Sequence, residues 1–356
     1  MPANSFSFAR DAHQAVLQAN SYDGRLYAVP ATVDAALLWY RRDWFTAEGL
    51  APPQNWNELV STSRHFLQRR VRERYGLTHP LAMPTGTAGG EATVYTLLPF
   101  IWSAGGDVCG PTTANLDSPG TRLALHFLRE LVAVHGIVPA QAVSYRADTA
   151  PQLFAHGRVA MALGGSYEAA NLREWSRWHG DEFAERVGCV PVPPAPGTAP
   201  VATLGGVSYV VLRQCARPTL MLELLQISMD PMVIGGVYRS ALLASAGAPL
   251  DTSLPSGSEL PLDVIRPMLA AGRGRPCVPE YVKVSRQLQA MFEAVFFTSM
   301  PVEDIVRRTA EFIGVICEYP CQATQAPDDR GAPQQGEGRT GRVQASRFAP
   351  SANRQL

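Results

Sequence analysis

One short segment limits the possible folds of this chain more than any other. Residues 35–40 read Ala-Ala-Leu-Leu-Trp-Tyr, an apolar run without a polar interruption. A run of this length is typical of a strand that is buried on both faces of a sheet. We therefore predict a strand here that has protein packed against each of its faces.

Helical and strand segments alternate along the rest of the chain. Asn55 with Glu58 three residues later is a capping box, which predicts the start of a helix. Residues 154–163 predict the end of a helix, a turn at Gly157 and then a buried strand. Further helices are predicted over residues 119–135, 220–229, 281–296 and 301–316. Asp23-Gly24 predicts a turn followed by a strand over 26–29, and residues 207–212 predict another strand. This alternation indicates an α/β fold.

Composition limits the partners that the chain can have. The 356 residues are 46% hydrophobic and 17% charged, which is typical of a folded protein large enough for two lobes. Lys and Arg number 31 and so do Asp and Glu, so the net charge is zero. A surface of this kind argues against nucleic acid or an anionic membrane as the main partner and suits an uncharged small molecule.

The sequence carries none of the motifs that would indicate an enzyme or a cofactor site. Gly89-Gly90 and Gly164-Gly165 lack the surrounding residues of a phosphate-binding loop. The six cysteines form no CxxC pair, and Cys317 with Cys321 alone is weak evidence for zinc. We expect no catalysis, no metal and no cofactor.

A set of short segments occurs in a fixed order along most of the chain. They are Tyr22-Asp23-Gly24-Arg25-Leu26-Tyr27-Ala28-Val29-Pro30, Val33-Asp34-Ala35, Leu37-Leu38-Trp39-Tyr40-Arg41-Arg42-Asp43, Asn55-Trp56-Asn57-Glu58-Leu59, Phe154-Ala155-His156-Gly157-Arg158-Val159-Ala160-Met161 and Leu204-Gly205-Gly206. Their order and spacing resemble those of the extracellular solute-binding proteins of carbohydrate ABC importers, the family that includes maltose-binding proteins. The resemblance implies a type II periplasmic-binding-protein-like fold, in which a sugar binds between two lobes joined by a hinge.

The same resemblance divides the chain into lobes. It implies that residues 1–31 are a remnant of the first lobe with a hinge strand, and that 32–204 form the second lobe. Residues 205–275 would be the remaining part of the first lobe, and 276–321 the C-terminal helices of the second. Composition predicts a loop over 244–261 and a disordered tail over 322–356.

Six residues match positions where the family contacts its ligand. Sugars offer apolar faces to aromatic rings and hydroxyls to carboxylates, and the resemblance implies these roles for Asp34, Glu91, Tyr95, Tyr167, Gly206 and Tyr281. Tyr167 occupies a slot where the family usually has a stacking Trp. A satisfied turn carboxylate at Asp34, a core role for Tyr95 and a plain tight turn at Gly206 are the competing interpretations.

The chain departs from the family at its N-terminus. Only about twenty residues precede Tyr22-Asp23-Gly24, so the first lobe is expected to be incomplete and to expose apolar faces. Either the true start lies upstream, or the gene product is truncated, or a second chain completes it. An intact relative would be periplasmic or extracellular, whereas this chain starts without a signal peptide and would remain in the cytoplasm.

These interpretations lead to one expected function and one alternative. We expect a monomer that binds a sugar and delivers it to the ABC permease subunits in the membrane. The alternative is a degenerate lobe that has lost sugar binding and acts as a regulatory or protein-interaction module.

Overall fold

A computed structural model of the chain describes residues 14–110, 112–178, 180–228, 242–243 and 262–319. The predicted loop over 244–261 and the predicted tail over 322–356 lie outside the described residues, as does Cys321.

The predicted central strand is confirmed and is longer than the apolar run itself. Strand β4 extends over Thr32–Arg41, and Trp39 within it is only 1% exposed. One edge of β4 pairs antiparallel with β6 (Val159–Gly165) and the other with β7 (Val187–Pro191). Strand β5 (His79–Ala82) extends the sheet in parallel with β6. The sheet is therefore mixed, with β4 in its interior.

Six further strands are two residues long. Strands β8 and β10 pair antiparallel with the first half of β4, β1 pairs with β2, and β3 pairs with β9. Their bounds are β1 Ser21–Tyr22, β2 Arg25–Leu26, β3 Val29–Pro30, β8 Leu204–Gly205, β9 Ser208–Tyr209 and β10 Leu242–Leu243.

The hairpin before the sheet follows from its turn residues. Asp23 and Gly24 have φ angles of 48° and 68°, the left-handed values that a two-residue hairpin turn requires. The strand expected after this turn is split into β2 and β3, and the strand expected over 207–212 is reduced to β9. Both differences occur where the available partner strand is only two residues long.

The predicted helices are confirmed, with small differences at their ends. The helices are α1 Gln14–Ala19, α2 Arg42–Ala47, α3 Trp56–Leu67, α4 Arg69–Tyr75, α5 Glu91–Ser103, α6 Pro119–Ala133, α7 Thr149–Ala155, α8 Glu168–Ser176, α9 Asp181–Arg186, α10 Pro218–Ser228, α11 Leu262–Ala270, α12 Tyr281–Phe297 and α13 Val302–Ile316. Within the described parts of the chain, no helix is both long and apolar enough to cross a membrane.

Alternate residues of β4 enter two different cores. Ala36 and Leu38 pack with the apolar sides of α5, α6, α12 and α13. Leu37 and Trp39 pack on the opposite face with residues of α7, α8 and α11. This alternation is the period of two that a strand imposes. It explains why the whole run is apolar, because neither face of β4 meets solvent.

A small third core lies apart from the two that cover the sheet. It contains Leu26, Val29, Ala31 and Leu225, and it joins the hairpin region to α10. By contrast, α11, which the sequence assigns to the remaining part of the first lobe, packs against β4 and β7.

The capping box at the start of α3 gives the first testable prediction. The Asn55 side chain accepts a hydrogen bond from the Glu58 backbone N–H at 3.0 Å, and the Glu58 carboxylate accepts one from the Gln54 N–H at 2.8 Å. We expect Asn55→Ala to lower the free energy of unfolding by about 1 kcal/mol. Urea unfolding measures this, with Gln54→Ala as the matched control, because the Gln54 backbone N–H survives that change. Equal stabilities of the two variants would contradict the prediction.

Candidate ligand-binding site

The first part of the site joins the start of β4 to α5. Asp34 lies on β4 beside β8, and its Oδ1 accepts a hydrogen bond of 2.6 Å from the Tyr95 hydroxyl. The Tyr95 ring is 4% exposed, so most of it belongs to the core, as the competing interpretation held. Its hydroxyl nevertheless donates a hydrogen bond to Asp34, the carboxylate in β4 that the sequence predicted as a ligand contact. Asp34 and Tyr95 are thus brought together.

Two glycines allow β8 to lie against this pair. A Cβ on Gly205 would fall 2.5 Å from Asp34 Oδ1 and 3.0 Å from the Tyr95 ring. A Cβ on Gly206, which has φ of 137°, would fall 2.0 Å from the Thr32 carbonyl oxygen. The requirement for glycine at position 206 therefore arises from contact with the protein's own backbone. A ligand contact at Gly206 stays a prediction.

Tyr167 lies at the turn between β6 and α8. Its ring centre is 6.3 Å from that of Tyr95, and its side chain is 39% exposed. A Cβ on Gly165 would fall 2.2 Å from the Tyr167 ring, so this glycine makes room for the ring at the end of the strand. Tyr167 is therefore an aromatic surface beside Asp34 and Tyr95 that is open to solvent.

A second hydrogen-bonded group surrounds Glu91 at the start of α5. Its Oε1 accepts from the Tyr281 hydroxyl at 2.5 Å and from Arg275 at 3.0 Å. Its Oε2 accepts from the Ser285 hydroxyl at 2.5 Å. The structure thus brings Glu91 and Tyr281 into direct contact, although they are far apart in the sequence.

Arg275 connects the two groups. Its guanidinium lies 5.8 Å from the centre of the Tyr95 ring while it also pairs with Glu91. Glu91, Arg275 and Tyr281 line a cavity of about 400 Å³ together with Leu204, the neighbour of Gly205. Five of the six predicted residues therefore form one continuous constellation around this arginine, and Gly206 lies at its edge.

Burial raises the pKa values of two acidic groups in the constellation. Burial raises the pKa of Asp34, against the lowering effects of the Tyr95 hydrogen bond and of Arg275. Burial also raises the pKa of Glu168, the residue after Tyr167, to about 7. The pKa values of Tyr95, Tyr167 and Tyr281 are likewise raised, first by burial and then by nearby carboxylates. These hydroxyls therefore remain protonated and act as hydrogen-bond donors.

The arrangement suits non-covalent binding of a hydroxylated ligand. Carboxylate oxygens accept hydrogen bonds from hydroxyls, Arg275 donates them, and Tyr167 provides an aromatic face. Among the residues that the structure describes, no cluster of His, Cys, Asp and Glu could hold a metal ion.

Sequence reasoning missed three members of the constellation. Arg275 lies 184 residues from Glu91 in the sequence, so only the structure reveals their contact. Ser285 lies four residues after Tyr281 on one helix, and Glu91 and Tyr95 have the same spacing on another. Because residues at this spacing share a helix face, the spacing was the available signal. No sequence signal pointed to Glu168, because its raised pKa results chiefly from burial of the side chain in the folded protein.

Glu168 gives a pH prediction. Its pKa in the folded state, about 7, lies above the ordinary value of 4.5, so between these values the folded protein holds a proton that the unfolded chain releases. Its contribution to stability is complete below about pH 4.5 and is lost as the pH rises to about 7. We expect wild type to lose roughly 2–3 kcal/mol over this range relative to Glu168→Gln. Urea unfolding of both proteins from pH 4.5 to 8 measures the difference, and parallel curves would contradict it.

Comparison with known proteins supports the fold and the family. The family model for bacterial extracellular solute-binding proteins matches residues 7–226. A probable ABC transporter-binding protein from Deinococcus radiodurans is 29% identical over 210 residues, which are 57% of this chain and 47% of that protein. The chain thus spans about half the length of that relative.

Solved structures share the fold at low sequence identity. A solute-binding protein of an ABC transporter from Thermotoga lettingae, bound with α-D-tagatose, has a TM-score of 0.75 at 20% identity over 88% of this chain and 78% of its own. Maltose-bound MalE3 from T. maritima has a TM-score of 0.73 at 22% identity over 86% and 77%. The predicted α/β fold of the periplasmic-binding-protein type is therefore confirmed, and the chain belongs to the family of bacterial extracellular solute-binding proteins.

Proposed function

We propose that this chain is the part of an ABC importer that captures a neutral carbohydrate. Proteins of this family bind solutes rather than transform them. The observation that carries the proposal is the constellation around Arg275, in which Asp34 and Glu91 present acceptors and Tyr167 presents an open ring. The ligand is held without covalent chemistry and is then passed to the membrane permease.

The charge balance of the constellation favours a neutral ligand. Arg275 is already paired with Glu91 at 3.0 Å, so its charge is compensated before any ligand arrives. Asp34 lies close enough to Glu168 for its negative charge to raise the cost of ionising Glu168. An anionic ligand would meet these carboxylates, whereas the hydroxyls of a sugar would donate to them.

The lobe arrangement is part of the same proposal. Residues 32–204 and 276–321 are assigned to the second lobe and 1–31 with 205–275 to an incomplete first lobe, except that α11 packs against β4 and β7 of the second lobe. The small core of Leu26, Val29, Ala31 and Leu225 supports the existence of such a separate remnant. We propose that the protein works as a monomer outside the cytoplasmic membrane, as its extracellular family indicates, rather than in the cytoplasm as its N-terminal residues predicted.

Thermal unfolding of the purified full chain against a ligand panel tests the proposal. The panel contains maltose, D-tagatose and a set of other neutral sugars, with glycerol 3-phosphate as the anionic comparison. A sugar present at about one hundred times its Kd should add roughly 2.7 kcal/mol of stability. Stabilisation by the anion alone would overturn the choice of a neutral sugar, and no stabilisation by any compound would overturn capture itself.

One observation favours the alternative of a protein-interaction module. Tyr27 and Leu212 are 62% and 58% exposed, and they line a cavity together with Pro218, Leu222 and Leu225 of α10. Exposed apolar groups that lie together are typical of an interaction surface. The absence of any sugar effect, together with a stable complex with another protein, would favour this function over carbohydrate capture.

A further inference from the structure

Two cysteines from distant parts of the sequence, Cys109 and Cys317, line one cavity next to the ligand constellation. Cys109 is in the loop after α5, where it forms an isolated antiparallel bridge with Ala114. Cys317 caps the C-terminal end of α13. Both pack against the edge of the same core, and each thiol shifts the pKa of the other.

The neighbouring backbone holds the two segments together. The Tyr319 hydroxyl donates a hydrogen bond of 3.1 Å to the Gly110 carbonyl oxygen. Cys317 itself donates its backbone N–H to the Ile313 carbonyl at 2.9 Å, which fixes its position on the helix end. The hydrogen bond from Tyr319 to Gly110 therefore holds the end of α13 beside the loop that carries Cys109.

Small molecules can reach this pair. Cys109 and Cys317 are only partly buried, and both line a cavity of about 640 Å³. A buried pair in a closed core would lack such access for an oxidant.

We propose that Cys109 and Cys317 form an intramolecular disulfide that fastens the end of α13 to the loop after α5. The oxidant is a small-molecule disulfide. One thiolate attacks it to give a mixed disulfide and releases one thiol. The second thiolate then displaces the other thiol and forms the Cys109–Cys317 bond. The protein loses two protons and two electrons, and the oxidant is reduced to two thiols.

The surroundings favour a structural bond over a redox-active one. Burial raises the pKa of Cys109 to about 12 and also raises the pKa of Cys317. Thiols with low pKa values make strongly oxidising disulfides, because the reduced form is stabilised as thiolate. Here the raised pKa values mean that the reduced form is not stabilised as thiolate. The disulfide therefore forms slowly, because little thiolate is present, and once formed it resists reduction.

A third cysteine in the cavity is the main competitor. Cys277 is exposed, and its thiol donates to the Ser21 carbonyl oxygen at 2.9 Å. This bond directs Cys277 toward the hairpin, whereas the hydrogen bond from Tyr319 to Gly110 holds the segments of Cys109 and Cys317 together. We therefore expect Cys109 to pair with Cys317, and not with Cys277, when all thiols are exposed to one oxidant.

The test uses the full chain in a glutathione buffer with excess oxidised form. We expect the intact mass to fall by about 2 Da relative to the reduced protein. Non-reducing peptide mapping should join the peptides of Cys109 and Cys317. The thermal midpoint should fall by roughly 5 °C or more when the bond is reduced.

Single variants provide the controls. Cys109→Ala and Cys317→Ala should each abolish the mass change, whereas Cys215→Ala should retain it. Peptide mapping of the wild-type protein decides the matter even when a variant folds poorly. A bond from Cys317 to Cys321, a bond to Cys277, or a full set of free thiols after oxidation would each overturn the proposal.

Discussion

We expect Gly206→Ala to lower the free energy of unfolding by about 4 kcal/mol, near the upper end for a single substitution. The new Cβ would lie 2.0 Å from the Thr32 carbonyl oxygen, which is backbone of the central strand. Residue 206 also has φ of 137°, a value that residues with a side chain rarely adopt. Clash and backbone strain therefore act together.

The chain cannot easily move residue 206 away from this clash, because the backbone of Val207 is hydrogen-bonded to Thr32 of the same strand and to Ala31 just before it. The Val207 N–H donates to Thr32 Oγ1 at 2.9 Å, and the Val207 carbonyl accepts from the Ala31 N–H at 2.8 Å. Moving residue 206 away from Thr32 would stretch or break both bonds. The loss of either adds to the cost of the clash.

A second glycine provides the matched control for this prediction. Gly314 lies inside α13, and a Cβ there would meet nothing within 4 Å. Gly314→Ala should therefore stabilise the protein by about 0.5–1 kcal/mol, because alanine favours a helix interior. Urea unfolding of both variants measures the contrast. The steric explanation would be wrong if the two substitutions had similar effects.

The second large effect concerns the ligand. We expect Tyr167→Ala to weaken sugar binding by about 100-fold, as the loss of a central aromatic contact does in other interfaces. The side chain is 39% exposed, so its removal should change the stability of the free protein by less than about 1 kcal/mol. Isothermal titration with the sugar identified by the panel measures the affinity.

Two further variants separate stacking from other causes. Tyr167→Trp should bind at least as tightly as wild type, because the larger ring covers more of a sugar face. Tyr27→Ala removes a more exposed tyrosine, at 62%, outside the constellation and should leave the affinity unchanged. Unaltered binding by Tyr167→Ala would remove Tyr167 from the site, whereas equal losses in Tyr167→Ala and Tyr27→Ala would indicate a general effect.

Local signals were sufficient for the elements of the fold. The apolar run at 35–40, the capping box at Asn55 and the turn at Asp23-Gly24 each specify their structure through neighbouring residues, and each was predicted. The strand expected over 207–212 was wrong beyond Ser208–Tyr209. A strand exists only where a partner offers backbone groups, and β3 offers just two residues. That information is absent from the segment itself.

The site, like the fold, could be predicted from the sequence only in part. The resemblance identified Asp34, Glu91, Tyr95, Tyr167 and Tyr281, but it could not identify which of them touch. The contact of Glu91 with Arg275 and Tyr281 joins segments almost two hundred residues apart, and no local pattern encodes such a distance. The raised pKa of Glu168 was equally inaccessible, because it depends on what buries the side chain.

The pairing of β4 also determines the order in which the chain can fold during synthesis. Both edges of this apolar strand are covered by segments that lie roughly 120 to 150 residues later. At a translation rate of about 5–20 residues per second, the strand waits roughly 6–30 s for its partners after it has been made. During that time the apolar strand β4 has no partner on either edge and is exposed to other chains. We therefore expect a chaperone, or early docking of α2 on the strand, to protect the nascent chain from aggregation before the sheet closes.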